Sequence, residues 1–499
     1  MNFRRPNSSL NAGRAVFCIV LLLLQAALQC WSMMTLAATA ADIGAGPTPL
    51  AALADPTLPP LRGPTVAAIN DPAGNDFSSQ YTSITKRILL AGVKLERFSL
   101  NYRLETSKRP PLRQLRYIAT QEAGAAGGLA FEITGIKQFG IGRKHPLRLS
   151  TKDLKAALLT TGTTSVVASA GSCFELGANV YAGAKRRRHG YDAASATKNV
   201  AAQLKEIDRL LLERDVLIAG YKGQPGYDRA VIEGEVLQQM RAAFVNEYRH
   251  FNVDSRNFFA IQNTFFALNA AYNSVGATAA YVGNKALHNS SLNGVTNVLF
   301  TVSGAMAMVS PILCVASGKL MSWHANQVLD RELGVQKPFE EEQFSAKRRL
   351  LEEMLPGAQG SLIPSLPATQ RLALYTESDK LFVKQLDNET RVIRRLQSIA
   401  LQTNLFAPPI GGCLMTQGIL GTIGYYHDRL RPRKQLNLSY AGSIVGCVGI
   451  SAALVGNVGF LLTSMAYENK LRRNNQLPAQ LIKARLEHLD DLQKLLDAL

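Results

Sequence analysis

The chain has 499 residues, of which 47% are hydrophobic and 18% charged, and its formal net charge is +18. That length exceeds what a single soluble core usually serves, and the charge content lies below the roughly 25% of soluble domains. The composition fits a mixed membrane and aqueous protein, and its cations are dispersed among acids rather than gathered in a stripe, so no nucleic acid is expected as a partner.

The first segment, 1–40, joins a cationic stretch, "MNFRRPNSSLNAGR", to an apolar one, "AVFCIVLLLLQAAL". Ala38, Thr39 and Ala40 supply the small-x-small pattern of a cleavage site, so the reading is a signal peptide, with an uncleaved anchor as the alternative. Residues 41–78 are rich in Pro and Ala and read as a tether.

Residues 79–155 read as a small extracytoplasmic α+β module. "FSLNYRL" (98–104) alternates apolar and polar side chains as a half-buried strand does, and "LAFEITGIKQFGIG" repeats the habit after the breaker "AGAAGG". Between them Lys108, Arg109, Arg113 and Arg116 read as a solvated basic loop.

Residues 156–184 are long enough to span a hydrocarbon core of roughly 30 Å and end on Lys185, Arg186, Arg187 and Arg188. Glu175 sits inside this run, where an unpaired carboxylate is expensive, and Asn273 is its first expected partner. A cytoplasmic helical region, 185–260, follows. Next come a membrane hairpin, 261–317, a second cytoplasmic region, 318–403, a second hairpin, 404–467, and a cytoplasmic helical tail, 468–499.

The two hairpins look duplicated: Phe244-Val245 matches Phe382-Val383, and Gln262, Phe266 and Ala267 match Gln402, Phe406 and Ala407 at nearly constant spacing. Small residues recur on one face of each. In the first hairpin these are Ser303, Ala307, Ser310, Cys314 and Ser317; in the second, Gly442, Gly446, Gly449, Ala453 and Gly456. Such faces let backbones approach closely in lipid. Ile450 is expected off that face. Glu175, Asn269, Asn273, Gln417 and Asn457 are the candidate intramembrane polar residues. In the tail, Ile482, Leu489, Leu492, Leu496 and Leu499 form an apolar face that wants a neighbouring helix or a second protomer.

The expected fold is therefore mainly α, with about five spans, in the plasma (inner) membrane, and the lipid bilayer is the first partner. No HExxH, GxSxG or GxxxxGK[ST] pattern occurs and the seven histidines are scattered, so neither enzyme, cofactor nor metal is expected. Two functions follow. One is a non-enzymatic scaffold or signal relay joining an outside module to a cytoplasmic bundle. The other is a channel or transporter using the small-residue and amide seam. Dry apolar packing along the seam favours the first; a water-accessible path favours the second.

Overall fold

The computed structural model describes residues 74–107, 113–224, 226–334, 339–354, 371–372, 375–376, 408–426 and 432–497. The signal reading, most of the tether, Phe382-Val383, Gln402, Phe406-Ala407 and Leu499 lie outside these residues. Among the described residues the regular structure is helical: α1 (Gly74–Ser107), α2 (Arg113–Lys144), α3 (Thr151–Arg188), α4 (Ala193–Ala219), α5 (Tyr227–Ala286), α6 (Asn293–Leu333), α7 (Glu341–Glu353), α8 (408–426), α9 (Pro432–Arg473) and α10 (Pro478–Asp497).

The α+β reading of 79–155 is corrected. "FSLNYRL" lies within α1, and both "AGAAGG" and "LAFEITGIKQFGIG" lie within α2. The alternation misled because α1 buries Leu95, Ser99, Leu100, Tyr102 and Arg103 at helical spacing. In α2 the glycines are not breakers but contact points. A Cβ on Gly127 would run into Thr164 of α3, and one on Gly135 into Ser443 of α9, so only glycine lets these helices approach so closely.

Three hairpins make up one half of the molecule: α2 with α3, the later part of α5 with the earlier part of α6, and α8 with α9. Their turns lie together, since Leu149 and Leu436 both reach Gly142 and Tyr425 reaches Gly294. Capping fixes several ends. Ser150 accepts a hydrogen bond from the Asp153 amide at the start of α3. At the end of α3, Gly190 takes φ +73° while the Tyr191 amide bonds back to the Arg186 carbonyl at 2.9 Å.

The sequence divided the chain at 260 and 317, but α5 and α6 run unbroken across those points. Their far ends join α1, α4, α7 and α10 in a second, aqueous-type bundle with its own apolar core. Thus α1 shares a core with α4 and α10, which overturns the separation of an outside module from inside helices. Ile482, Leu489, Leu492 and Leu496 of α10 are buried in this core, where α10 packs against α1 of the same chain.

Two buried ion clusters tie that bundle together. In one, Arg485 of α10 meets Glu96 of α1 at 2.6 Å and Glu247 of α5 at 2.8 Å, while Arg103 of α1 meets Glu247 at 2.8 Å. In the other, Glu233 of α5 receives hydrogen bonds from Arg371 at 2.8 Å, Tyr375 at 2.6 Å and Tyr81, with Arg214 of α4 3.6 Å away. Burial alone would raise the Glu233 carboxyl, but Arg371 and Arg214 outweigh it and hold the group down at about 2.

The outward faces of the two halves differ. Val166, Val167, Phe174, Ile312, Val315, Leu320, Val448, Val455 and Leu462 are exposed on the hairpin half. Two stretches, Ser290–Leu333 and Pro432–Lys494, carry helices long and apolar enough to cross a membrane.

Removing the Glu233 carboxylate with Glu233→Ala is expected to destabilise the protein by about 3 kcal/mol or more, because Arg214 and Arg371 are left buried without it. A carboxyl depressed in the fold supports stability above its ordinary 4.5, and that support is lost as pH falls from 4.5 through about 2. Over that window the melting temperature of Glu233→Gln should fall less steeply than that of the natural chain, as read by thermal denaturation in detergent.

Candidate functional site

A cavity of about 1060 Å³ lies inside the hairpin half. It is walled by α2, α5 and α9, with contributions from α3, α6 and α8. The lining alternates between amide and aromatic groups. Gln121, Asn269, Asn273 and Asn457 supply polar groups, and Tyr117, Phe131, Tyr272, Phe300 and Phe460 supply rings. Small residues, among them Gly124, Gly128, Gly276, Ser303, Ala307 and Ala453, leave the space that larger side chains would fill. Towards the aqueous-type bundle the wall gains Arg113, Arg186, Glu468 and Arg472.

The amides form a connected network. Asn273 Nδ2 donates to Asn269 Oδ1 at 2.7 Å and to Gln121 Oε1 at 3.3 Å, while Asn269 donates to the Tyr117 hydroxyl. Gln121 Nε2 donates in turn to the Ala168 carbonyl at 2.9 Å and to Ser172 Oγ at 3.1 Å. This satisfies buried polar groups and orients the α2 and α5 walls.

Glu175 does not meet Asn273. Its carboxylate, 1% exposed, accepts from Arg113 Nε at 2.7 Å and from Arg116 Nε and Nη2 at 2.9 and 2.6 Å. The two arginines are not a solvated loop but the first turns of α2. Phe266 and Phe174 lie beneath their guanidinium groups at 5.3 and 4.7 Å. Through Arg113, Glu175 shapes the bundle-side end of the cavity without lining it.

Further along α2 stands a residue absent from the sequence-based candidates. Glu132 of α2 is 2% exposed and lines the cavity, and Gln417 Nε2 of α8 donates to its Oε1 at 2.6 Å. Its signal is present in sequence as Gly128, Glu132 and Gly135 at helical spacing, but only once the segment is read as a helix. The second-hairpin stripe faces this pair. Gly446 lies against Gln417 and Glu132, Gly442 against Gln417, and Gly449 against Cys413. Ala453 lines the cavity, and Gly456 is half-buried. Ile450, expected off the stripe, is buried against Gly128 of α2 and lines the cavity as well.

The first-hairpin stripe is also inward. Ser303 Oγ donates to the Tyr272 carbonyl at 2.9 Å, and Ala307, Ser310 and Cys314 are buried. No group of His, Cys, Asp and Glu among the described residues is arranged to hold a metal ion. No family model, curated protein or solved structure matches the chain.

Leucine at Gly446 is expected to drive α9 away from the Glu132–Gln417 pair and lower the melting temperature in detergent by several degrees. Val455→Leu, on the exposed face, should leave it unchanged. At Glu175, both Gln and Leu should destabilise, by about 2 kcal/mol or more, because two guanidinium groups lose their carboxylate. Leu should be the worse, since it accepts no hydrogen bond. A melting temperature for Glu175→Leu equal to that of the natural chain would contradict the ion cluster.

Proposed function

We propose that the protein is a multi-pass membrane protein that binds a solute in the hairpin cavity and carries it across the bilayer, as a transporter or channel. The observation that carries this reading is the amide-lined cavity itself. The scaffold reading calls for dry packing along the small-residue seam, whereas Asn273, Gly276, Ser303, Ala307, Ala453 and Asn457 line open space. The relay between an outside module and inside helices also loses its premise, since α1, α4 and α10 belong to one bundle.

Membrane immersion of all three hairpins is supported by polarity. Polar side chains gather inside, while large apolar ones face outward on α3, α6, α8 and α9. The thickness agrees. Tyr426 touches Gly294 near the hairpin turns, and exposed Trp323 lies on the same α6 near the aqueous-type bundle. The rise of an α-helix puts the two roughly 44 Å apart, the depth of a bilayer with its headgroups, where aromatic residues concentrate.

Six crossings return the chain to its starting side, so the aqueous-type bundle occupies one face of the membrane. We place that face outside the cytoplasm. The signal-like stretch precedes α1, and the hairpin ends away from the bundle carry Arg143, Lys144, Arg148, Arg433 and Lys434. The bundle-side run Lys185 to Arg188 is partly engaged internally, with Arg186 over the Phe259 ring at 4.7 Å.

Alkaline carbonate should leave the protein in the membrane pellet. In a variant lacking all six cysteines, Cys18, Cys30, Cys173, Cys314, Cys413 and Cys447, a cysteine at Asn457 or Asn273 should react with a small water-borne maleimide, and one at Val455 should not. Release into the supernatant would refute immersion; labelling of Val455 but not of the asparagines would refute the cavity as a path.

A further inference from the structure

Among the described residues Glu132 is an acid without a counter-charge. Its Oε1 is met by Gln417, but its Oε2 is buried with no hydrogen-bond partner. The Oε1 of Gln417 is likewise buried and unpartnered. Both side chains press on the same spot, since a Cβ on Gly446 would lie 2.5 Å from Gln417 Oε1 and 2.8 Å from the Glu132 carboxyl carbon. The Ser443 hydroxyl from α9 is a second hydrogen-bond donor to the Glu132 carboxyl, and like the Gln417 amide it carries no charge. Turning the Gln417 amide over would only bring another acceptor against the carboxylate. The corner is rich in acceptors and lacks a positive donor.

The cations of the cavity are too far away to help. Arg113 begins the helix that carries Glu132, 19 residues earlier, which is roughly 28 Å of helix. It is held there by Glu175. Arg186 bonds the Thr106 carbonyl at 3.3 Å and covers Phe259. Arg472 lies 22 residues along α9 from Ile450, the residue that meets Gly128, or roughly 33 Å. A buried carboxylate so isolated is strongly unfavourable, and two things relieve it: uptake of a proton, or a cation that joins it.

Resting on the reading of the cavity as a solute site, we propose that Glu132 is the anchoring carboxylate for a protonated amine carried on an apolar body. The ammonium N–H groups satisfy Glu132 Oε2 and the neighbouring acceptors. The body lies along Phe131 and Phe300, whose rings stack with centroids 6.2 Å apart, and along Leu414 and Ile450. Gln417 is a positioning residue that fixes the carboxylate by its own amide. A hard metal ion fits this corner poorly, because it asks for about six oxygens and the adjoining rings supply none. The volume, about 1060 Å³, is that of a site for an organic molecule.

The test uses the full chain in lipid nanodiscs and calorimetric titration with 2-phenylethylamine and N,N-dimethyl-2-phenylethylamine. Both are cations at neutral pH. Their uncharged and anionic counterparts are 2-phenylethanol and phenylacetate. The amines should bind at least tenfold more tightly than either counterpart. Glu132→Gln should weaken amine binding at least tenfold, Glu132→Asp should largely retain it, and Gln417→Ala should weaken it severalfold. The melting temperature of Glu132→Gln should equal or exceed that of the natural chain, since a neutral amide replaces an isolated buried charge, so its loss of binding is not a loss of fold. Equal affinity of the natural chain and Glu132→Gln, equal affinity for amine and alcohol, or no binding of either amine overturns the proposal. If a cysteine at Asn457 still labels from water in that case, the amine site falls while the cavity reading stands. If it does not label, the cavity reading falls too.

Discussion

Helices whose outer faces are apolar, set in apolar surroundings, gain nothing by turning those faces inward; what holds them is close backbone approach and polar contact. On the proposed membrane reading, the hairpin half is built on this constraint. Gly127 against Thr164 and Gly135 against Ser443 bring α2 to within touching distance of α3 and α9. Gly304 and Gly411 let the backbones of α6 and α8 meet directly. These contacts clamp the hairpins pairwise, and the amide network of Gln121, Asn269 and Asn273 braces α2 against α5. Because the clamps lie at the seams between neighbouring helices, space is left among α2, α5 and α9, and it fills with the polar groups that the outer faces exclude.

The aqueous-type bundle obeys the opposite rule. Its core is a conventional apolar cluster from α1, α4, α5 and α10, with partners from α6 and α7. Into it are set Glu96, Arg103, Glu247 and Arg485, and Glu233 with Arg214 and Arg371. Such clusters add little net stability compared with apolar packing, but they tolerate only one arrangement of partners. Each joins helices far apart in sequence, so they fix which helices come together.

Much of the hairpin half is legible in the sequence. Long apolar runs with small residues every three or four positions locate α3, α6 and α9 and pick out the inward faces of the last two. The errors have physical causes. A short alternation such as Phe98 to Leu104 is shared by a strand and by a helix with a broad buried face, and the pairing that decides between them is tertiary. The rule that makes "AGAAGG" a breaker fails where a neighbouring helix needs the room that a missing Cβ leaves, as Thr164 does at Gly127. Glu175 meets Arg113 and Arg116 rather than Asn273 because those arginines belong to a helix that the sequence pattern disguises as a loop. The same disguise hides Glu132. Ile450 falls off the stripe in the pattern because the stripe of α9 faces α8, while Ile450 faces α2. The repeat expected between hairpins directs attention to two of them, whereas α2 and α3 form a third.

One element belongs to both halves. Helix α5 runs from Tyr227 to Ala286 without a break, about 90 Å of continuous hydrogen-bonded backbone. Its first turns carry Glu233 and Glu247, gripped by arginines of the bundle, and its later turns carry Asn269 and Asn273 on the cavity wall. A helix of that length is stiff, so it acts as a lever between the bundle and the cavity wall. A tilt of the end held in the bundle is carried along this shaft to the end that walls the cavity. The two halves thus share one rigid shaft.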